Sequence, residues 1–245
     1  TSFHQANCAA ERWMSMAVVN RAINCINYPS ILRVATNLTF LTDEIIEFFG
    51  SEIEFDGPNA FKPSYNICPT QLAPILRVDS SGMRLENMHW GLIPSWSKDK
   101  KYASNLINAR LETLNDKPSF KGLVKSHRCI VVASGYYEWV NTQNGKQPMY
   151  IHSNQSVLPL AGLWTSWGNI NSFTIVTQNS FSHLKTLHHR MPLILNNSSI
   201  LTYLDSDIEF NNSYEVSIDG IQYHKVSKIV NSVKRDTDAC IKSID

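Results

Sequence analysis

Short apolar runs alternate with polar turns along the chain, and few stretches repeat apolar residues at helical spacing. Alternating or charge-free segments predict strands at residues 75–78, 84–90, 129–140, 148–152, 157–164 and 173–178. Within 129–140, Ile130, Val131, Val132 and Ala133 are consecutive and apolar, the pattern of a buried strand. Asn144-Gly145 lies between two of these runs and predicts a hairpin turn. Helices are fewer. Residues 41–50 carry Thr42 as a cap, Asp43 and Glu44 at the positive end of the helix dipole, and Gly50 after the last turn. Leu41 and Ile46 are spaced as a hydrophobic staple for the same helix. Pro118 opens a second helix reaching about Ser126, and Ser198 caps a third through Leu204. Residues 56–74 hold four prolines and read as turns. Strands therefore dominate. The pattern predicts an α+β fold with a mainly antiparallel β core, barrel-like or sandwich-like, flanked by a few helices. Residues 1–29 lack clear periodicity and read as an N-terminal extension to one domain spanning 30–245.

Composition changes this picture little. With 245 residues, 43% of them hydrophobic, the chain can bury a sizeable core as one domain. The formal net charge of +1 gives no global signature of a nucleic-acid binder. Its distribution is less neutral. Residues 39–57 carry six acidic side chains and no Lys or Arg, whereas residues 96–128 carry eight basic side chains against three acidic ones. That basic block suits either a solvated lysine-rich surface or a phosphate backbone. Cys8, Cys25, Cys68, Cys129 and Cys240 are odd in number and widely spaced, without a C-x-x-C pair. This argues against a disulfide framework or a zinc site and favours a reducing compartment. No apolar run approaches the ~18 residues a membrane helix needs, and no secretory pattern opens the chain. The expectation is a cytoplasmic protein, without membrane, metal or cofactor.

Candidate chemistry concentrates in a few segments. Gly135-Tyr136-Tyr137-Glu138-Trp139 ends the longest apolar run with a carboxylate among aromatics. Desolvation there would raise the pKa of Glu138 towards neutrality and make it a proton carrier; a glutamate at a strand end can equally reach solvent. Asn108 and Arg110 are two residues apart, hence on one face of an extended chain. Such a pair suits a sugar oxygen and a phosphate, or a purely structural set of carbonyls. His188-His189-Arg190 offers two imidazoles, of which one can point inward, and a further guanidinium. No i, i+4 histidine pair or acidic ligand accompanies them, so a metal is not expected. Trp90 and Trp96 flank a Gly/Pro turn, where Trp96 could stack on a base or lie over the core.

Taken in order, Tyr65-Asn66-Ile67-Cys68-Pro69-Thr70, Trp90 to Trp96, Ile107 to Arg110, Lys117-Pro118-Ser119-Phe120, Gly135 to Trp139, Ala161-Gly162-Leu163-Trp164 and His188 to Pro192 resemble the SOS-response-associated peptidase family of abasic-site processing proteins. The resemblance implies a protein that binds single-stranded DNA and joins covalently to abasic sites through an N-terminal cysteine, as a thiazolidine, in the response to DNA damage. It implies catalytic roles for Glu138 and His188 and a role for Asn108 in positioning that cysteine. It also implies DNA contacts through Arg33, Pro69, Trp96, Arg110, Thr177 and Arg190. A monomer acting in the cytoplasm, at the nucleoid on damage, is implied as well.

One position departs from the family. In the register set by Arg33, the place of the nucleophilic cysteine is held by Ile31, which has no thiol. The chain as written is therefore expected not to crosslink an abasic site. A degenerate binder of single-stranded DNA, or a peptidase or other hydrolase acting through Glu138 and His188, remain the alternatives.

Overall fold

The computed structural model describes residues 32–36, 45, 46, 48, 49, 53–55, 61–211, 214 and 220–244, the side chain of Tyr102 excepted. The expected extension at 1–29 and position 31 lie outside these residues, as does most of the helix expected at 41–50; its described residues Ile45, Ile46, Phe48 and Phe49 are helical.

The strands run in chain order as β1 (Arg33–Thr36), β2 (Ile53–Phe55), β3 (Ser64–Ile67), β4 (Leu72–Asp79), β5 (Gly82–Trp90), β6 (Asn108–Arg110) and β7 (Arg128–Ala133). Then follow β8 (Gly135–Thr142), β9 (Gly145–Ser153), β10 (Leu158–Trp167), β11 (Ile170–Asn179), β12 (Arg190–Pro192), helix α1 (Asn197–Leu204) and β13 (Ile221–Lys225). The α+β, strand-dominated architecture is the one the sequence predicts. One sheet follows the order β5-β4-β7-β10-β11, and a parallel pairing of Ser172 with His89 and Phe173 with Trp90 joins β11 back to β5, closing a barrel. The second sheet has the order β13-β9-β8-β1-β3.

The apolar run at 129–140 is two strands rather than one. β7 belongs to the barrel and β8 to the second sheet, with the chain switching sheets at Ser134. Ser134 is held there by its amide, which donates to the Ala35 carbonyl at 2.8 Å, and by its hydroxyl, which donates to the same oxygen at 3.0 Å. Gly135 follows because a Cβ would lie 2.5 Å from the Tyr150 ring and 2.6 Å from the Ile151 carbonyl oxygen. β7 is buried along its whole length. Ile130 and Val132 pack in the cluster with Leu76, Val176 and Ile200. Cys129, Val131 and Ala133 pack with Ile75, Trp90, Tyr136 and Phe173 in the other. Both faces are apolar, so the strand shows no alternation.

Two expected elements take another form. Residues 118–126 make successive turns rather than a regular helix, with bonds such as Lys121 N–H to the Lys117 carbonyl at 2.9 Å. The helix expected to be capped by Ser198 begins two residues earlier, and Asn196 is its cap, accepting from Ser199 N–H at 2.8 Å. Asparagine accepts this bond in the same way as serine, so the two candidates are not separable by residue type.

Candidate active site

Two short segments meet at the C-terminal half of β11. β6 pairs with it in parallel on one side, placing Asn108 opposite Ile175 and Arg110 opposite Thr177. β12 pairs antiparallel on the other side, placing Arg190 opposite Asn179 and Pro192 opposite Thr177. The second sheet supplies the opposing wall. On β8, Tyr136 faces the core between the sheets and Tyr137 the opposite side. Strand alternation then returns Glu138 to the inner face. The result is a cleft of about 220 Å3 lined by Leu32, Asn108, Arg110, Glu138, Thr177, His188, Arg190, Met191 and Pro192. A second cavity of about 420 Å3 shares Asn108 and Arg110 with it and reaches Lys117, Pro118 and Phe120.

Glu138 is only 6% exposed. Loss of hydration pushes its carboxyl pKa up to about 8, against smaller lowering influences from the Trp139 amide and Lys146. At neutral pH it is mostly a neutral acid, able to give a proton and take it back near the working pH. The His188 ring lies beside it, with Nδ1 3.6 Å from Glu138 Oε1. That is contact rather than a hydrogen bond. Nδ1 is also 3.1 Å from the Arg190 carbonyl oxygen and 3.2 Å from the Arg190 amide nitrogen. The main chain of one residue thus offers a partner to Nδ1 whether it is protonated or bare. His189 is the outward member of the pair, exposed and packed on His188 with ring centroids 4.3 Å apart.

Arg190 is held more firmly than any other guanidinium in the cleft. Its two terminal nitrogens donate to the Glu112 carboxylate at 2.7 and 3.0 Å, to Asn179 Oδ1 at 2.8 Å and to the Thr177 carbonyl at 2.6 Å. The Arg190 guanidinium holds the Glu112 carboxyl below the usual carboxylate range. Two polar atoms of the lining are buried without a partner, Asn108 Oδ1 and Arg190 Nε. One is an acceptor and the other a donor. Arg110 is exposed at the rim.

The other expected DNA-contacting residues lie outside this lining. Arg33 is buried, donating to Asn66 Oδ1 at 3.3 Å, to the Val230 carbonyl and to the Asn231 carbonyl at 3.3 Å. Its guanidinium also lies 5.2 Å from the centre of the Trp139 ring. Pro69 is buried in the turn between β3 and β4, and Trp96 is 58% exposed on the turn after Trp90. Of the eight basic residues in 96–128, Arg128 is buried against the Asp205 and Ile208 carbonyls, whereas Lys98, Lys117, Lys121 and Lys125 are exposed. Cys129 is fully buried, and desolvation raises its thiol pKa far above the range of a reactive thiolate. Among the described residues no group of three His, Cys, Asp or Glu could hold a metal ion, and no helix is long and apolar enough to cross a membrane. Leu32, Met191, Pro192 and Glu112 were not singled out from sequence. The first three are apolar or turn-like residues without a chemical signature, and Glu112 meets Arg190 across 78 residues.

The abasic site processing protein YoqW of Bacillus subtilis is 36% identical over 213 residues, covering 82% of this chain and 95% of its own. The abasic site processing protein HMCES of Gallus gallus is 32% identical over 226 residues, covering 76% of this chain and 67% of its own. A crystal structure of a Bacteroides thetaiotaomicron protein superposes with a TM-score of 0.69 at 20% identity, covering 87% of this chain and 99% of that one, and shares the fold. The family model described as SOS response associated peptidase (SRAP) matches residues 33–233. The chain belongs to the SRAP family.

Proposed function

We propose that the cleft processes abasic sites in single-stranded DNA, with Glu138 and His188 as its proton carriers. The observation that carries this is a carboxyl pushed up to about 8, in contact with an imidazole, in a cleft edged by Arg110 and Arg190. The names of the relatives, abasic site processing proteins, support the substrate. The unpartnered acceptor on Asn108 and the unpartnered donor on Arg190 suit a ligand carrying both a hydroxyl or amine and an anionic oxygen. A sugar-phosphate has the hydroxyl and the anion.

The chemistry follows from the aldehyde of an opened abasic sugar. His188 takes the proton of the C1 hydroxyl as the bond from C1 to the ring oxygen breaks, and returns a proton to that oxygen, leaving the open aldehyde. An amine nitrogen then attacks C1 and passes one proton to the carbonyl oxygen; the resulting hydroxyl leaves as water on taking a proton from Glu138, and the nitrogen returns its remaining proton to Glu138, giving an imine. A thiol on the same residue adds across the C=N bond, its proton passing to the nitrogen, and closes a thiazolidine. Only an N-terminal cysteine brings amine and thiol together. Position 31 directly precedes Leu32, which lines the cleft, and here it is isoleucine. That residue favours a second reading for the chain as written: a binder of single-stranded DNA that forms no crosslink.

The test uses two proteins and one oligonucleotide, a single strand with one abasic site. A version starting Cys-Gly-Arg, with its cysteine at position 31, should give an adduct that survives denaturation; the chain as written should give none. In both, binding should be salt-dependent, and Arg110→Ala should weaken it about 5-fold while reducing the log–log salt slope by about 0.7, one phosphate on a single strand. Absence of both adduct and salt-dependent binding defeats the proposal.

A further inference from the structure

The paired contact of Glu112 with Arg190 has a consequence for how a phosphate can be held. Glu112 stands in the single turn that follows β6, and Arg190 opens β12, on the opposite flank of β11. The two carboxylate oxygens take one proton from each terminal nitrogen of the guanidinium, at 2.7 and 3.0 Å. The remaining terminal protons go to Asn179 Oδ1 at 2.8 Å and the Thr177 carbonyl at 2.6 Å. All four terminal N–H groups are therefore committed. Nε, buried and without a partner, is the donor left over, on a side chain that lines the cleft.

We propose that Glu112 is a positioning residue for DNA binding: it fixes the outer edge of the Arg190 guanidinium so that the Nε–H faces the cleft for a phosphate oxygen beside the abasic sugar. The inference rests on the abasic-DNA function proposed above. The pair is a two-pronged clamp, which sets the plane of the guanidinium as well as its place. Glutamine could accept from one nitrogen only, and its NH2 group would face the other N–H donor. Charge alone predicts the contrary effect. A carboxylate beside the path of a polyanion repels it, so neutralising Glu112 should tighten binding if the residue acted only through its charge. Positioning and simple electrostatics thus differ in sign.

The experiment measures equilibrium binding of the full chain to a single-stranded oligonucleotide carrying a stable, unreactive abasic analogue, over a series of salt concentrations. Glu112→Gln should weaken binding about 5- to 10-fold and reduce the salt slope by about 0.7, the loss of one phosphate contact. Arg190→Ala should do the same. In the Arg190→Ala background, Glu112→Gln should weaken binding no further, because a residue acting through Arg190 has nothing left to position. Thermal melting of each variant separates loss of binding from loss of folding, and Glu112→Asp gives a second variant that keeps the charge but not the reach. Binding equal to or tighter than wild type in Glu112→Gln overturns the inference, as does a further loss in the double variant. A wild-type chain that fails to retain the oligonucleotide overturns the abasic-DNA function itself, and the inference falls with it.

Discussion

Glu138→Gln is expected to separate chemistry from stability, lowering the first and raising the second. In a version that starts at a cysteine in position 31, the substitution should slow adduct formation by about 10²–10⁴, the usual worth of a positioned proton carrier. Glutamine keeps the shape and can still meet the Trp139 amide and the His188 ring, but it has no proton to exchange. The stability effect follows from the carboxyl pKa of about 8, raised by burial. The unfolded carboxyl releases its proton near ~4.3, so between about pH 4 and 8 the folded state binds more protons than the unfolded one. Stability from this group is therefore complete below about pH 4, falls as the pH rises, and is lost by about pH 8 or above. The full span is on the order of 3–5 kcal/mol. Glutamine cannot ionise and removes that slope. Urea unfolding at pH 5 and pH 8.5 should show the variant gaining on the wild type by on the order of 3 kcal/mol at the higher pH. Parallel losses in the two proteins would mean that Glu138 is hydrated in the folded state and is not the proton carrier.

How far the site could be read from sequence depended on the length of each element. Long apolar runs in the barrel strands announced themselves, since four or more largely apolar residues in succession carry a signal that local accident does not erase. The segments that hold the cleft are different in kind. β6 and β12 are three residues each, too short to show a period, and they exist because β11 offers both its edges to them. Asn108 and Arg110 were nevertheless legible as a pair, because an extended backbone puts alternate residues on one face and both line the cleft. The sheet switch at Ser134 was hidden by the same burial that made the run recognisable. With apolar residues on both faces of β7, nothing in the alternation changes when the chain passes into β8. Gly135 was the remaining signal, through the space it leaves to Tyr150. The hairpin at Asn144-Gly145 is in place, but Gly145 is the residue with positive φ, at +89°, and it already pairs with Thr142. Asn144 is not left-handed, so the turn is not the two-residue type I′ form that the dipeptide suggests. Nothing local pointed to Glu112, whose importance comes from a partner supplied by the fold.

Gly91→Ala should be among the most damaging single substitutions outside the chemistry, and Gly82→Ala is its control. Both glycines have left-handed φ, +121° for Gly91 and +125° for Gly82. An alanine pays the backbone strain at either place, about 1–3 kcal/mol. Their surroundings differ. A Cβ on Gly82 meets nothing within 4 Å, whereas on Gly91 it would lie 2.4 Å from the Ala103 carbonyl oxygen and 3.0 Å from its carbon. Those atoms are main chain and cannot swing aside. They belong to a segment fastened to the barrel by Leu92 N–H to the Leu106 carbonyl at 3.1 Å and by the Trp90 indole N–H to the Ile107 carbonyl at 2.9 Å. Relief of the clash must push residues 103–107 away and loosen both bonds. The expected cost is about 4 kcal/mol or more for Gly91→Ala against about 1–3 for Gly82→Ala. At about 2–4 °C per kcal/mol for a chain of this size, the first should melt at least 8 °C below wild type. The same displacement shifts Asn108, the next residue after Ile107, so any Gly91→Ala protein that folds should also bind the abasic oligonucleotide more weakly. Equal melting losses for the two variants would show that the approach of Ala103 to Gly91 does not constrain the chain, and with it the argument that this contact sets the position of β6.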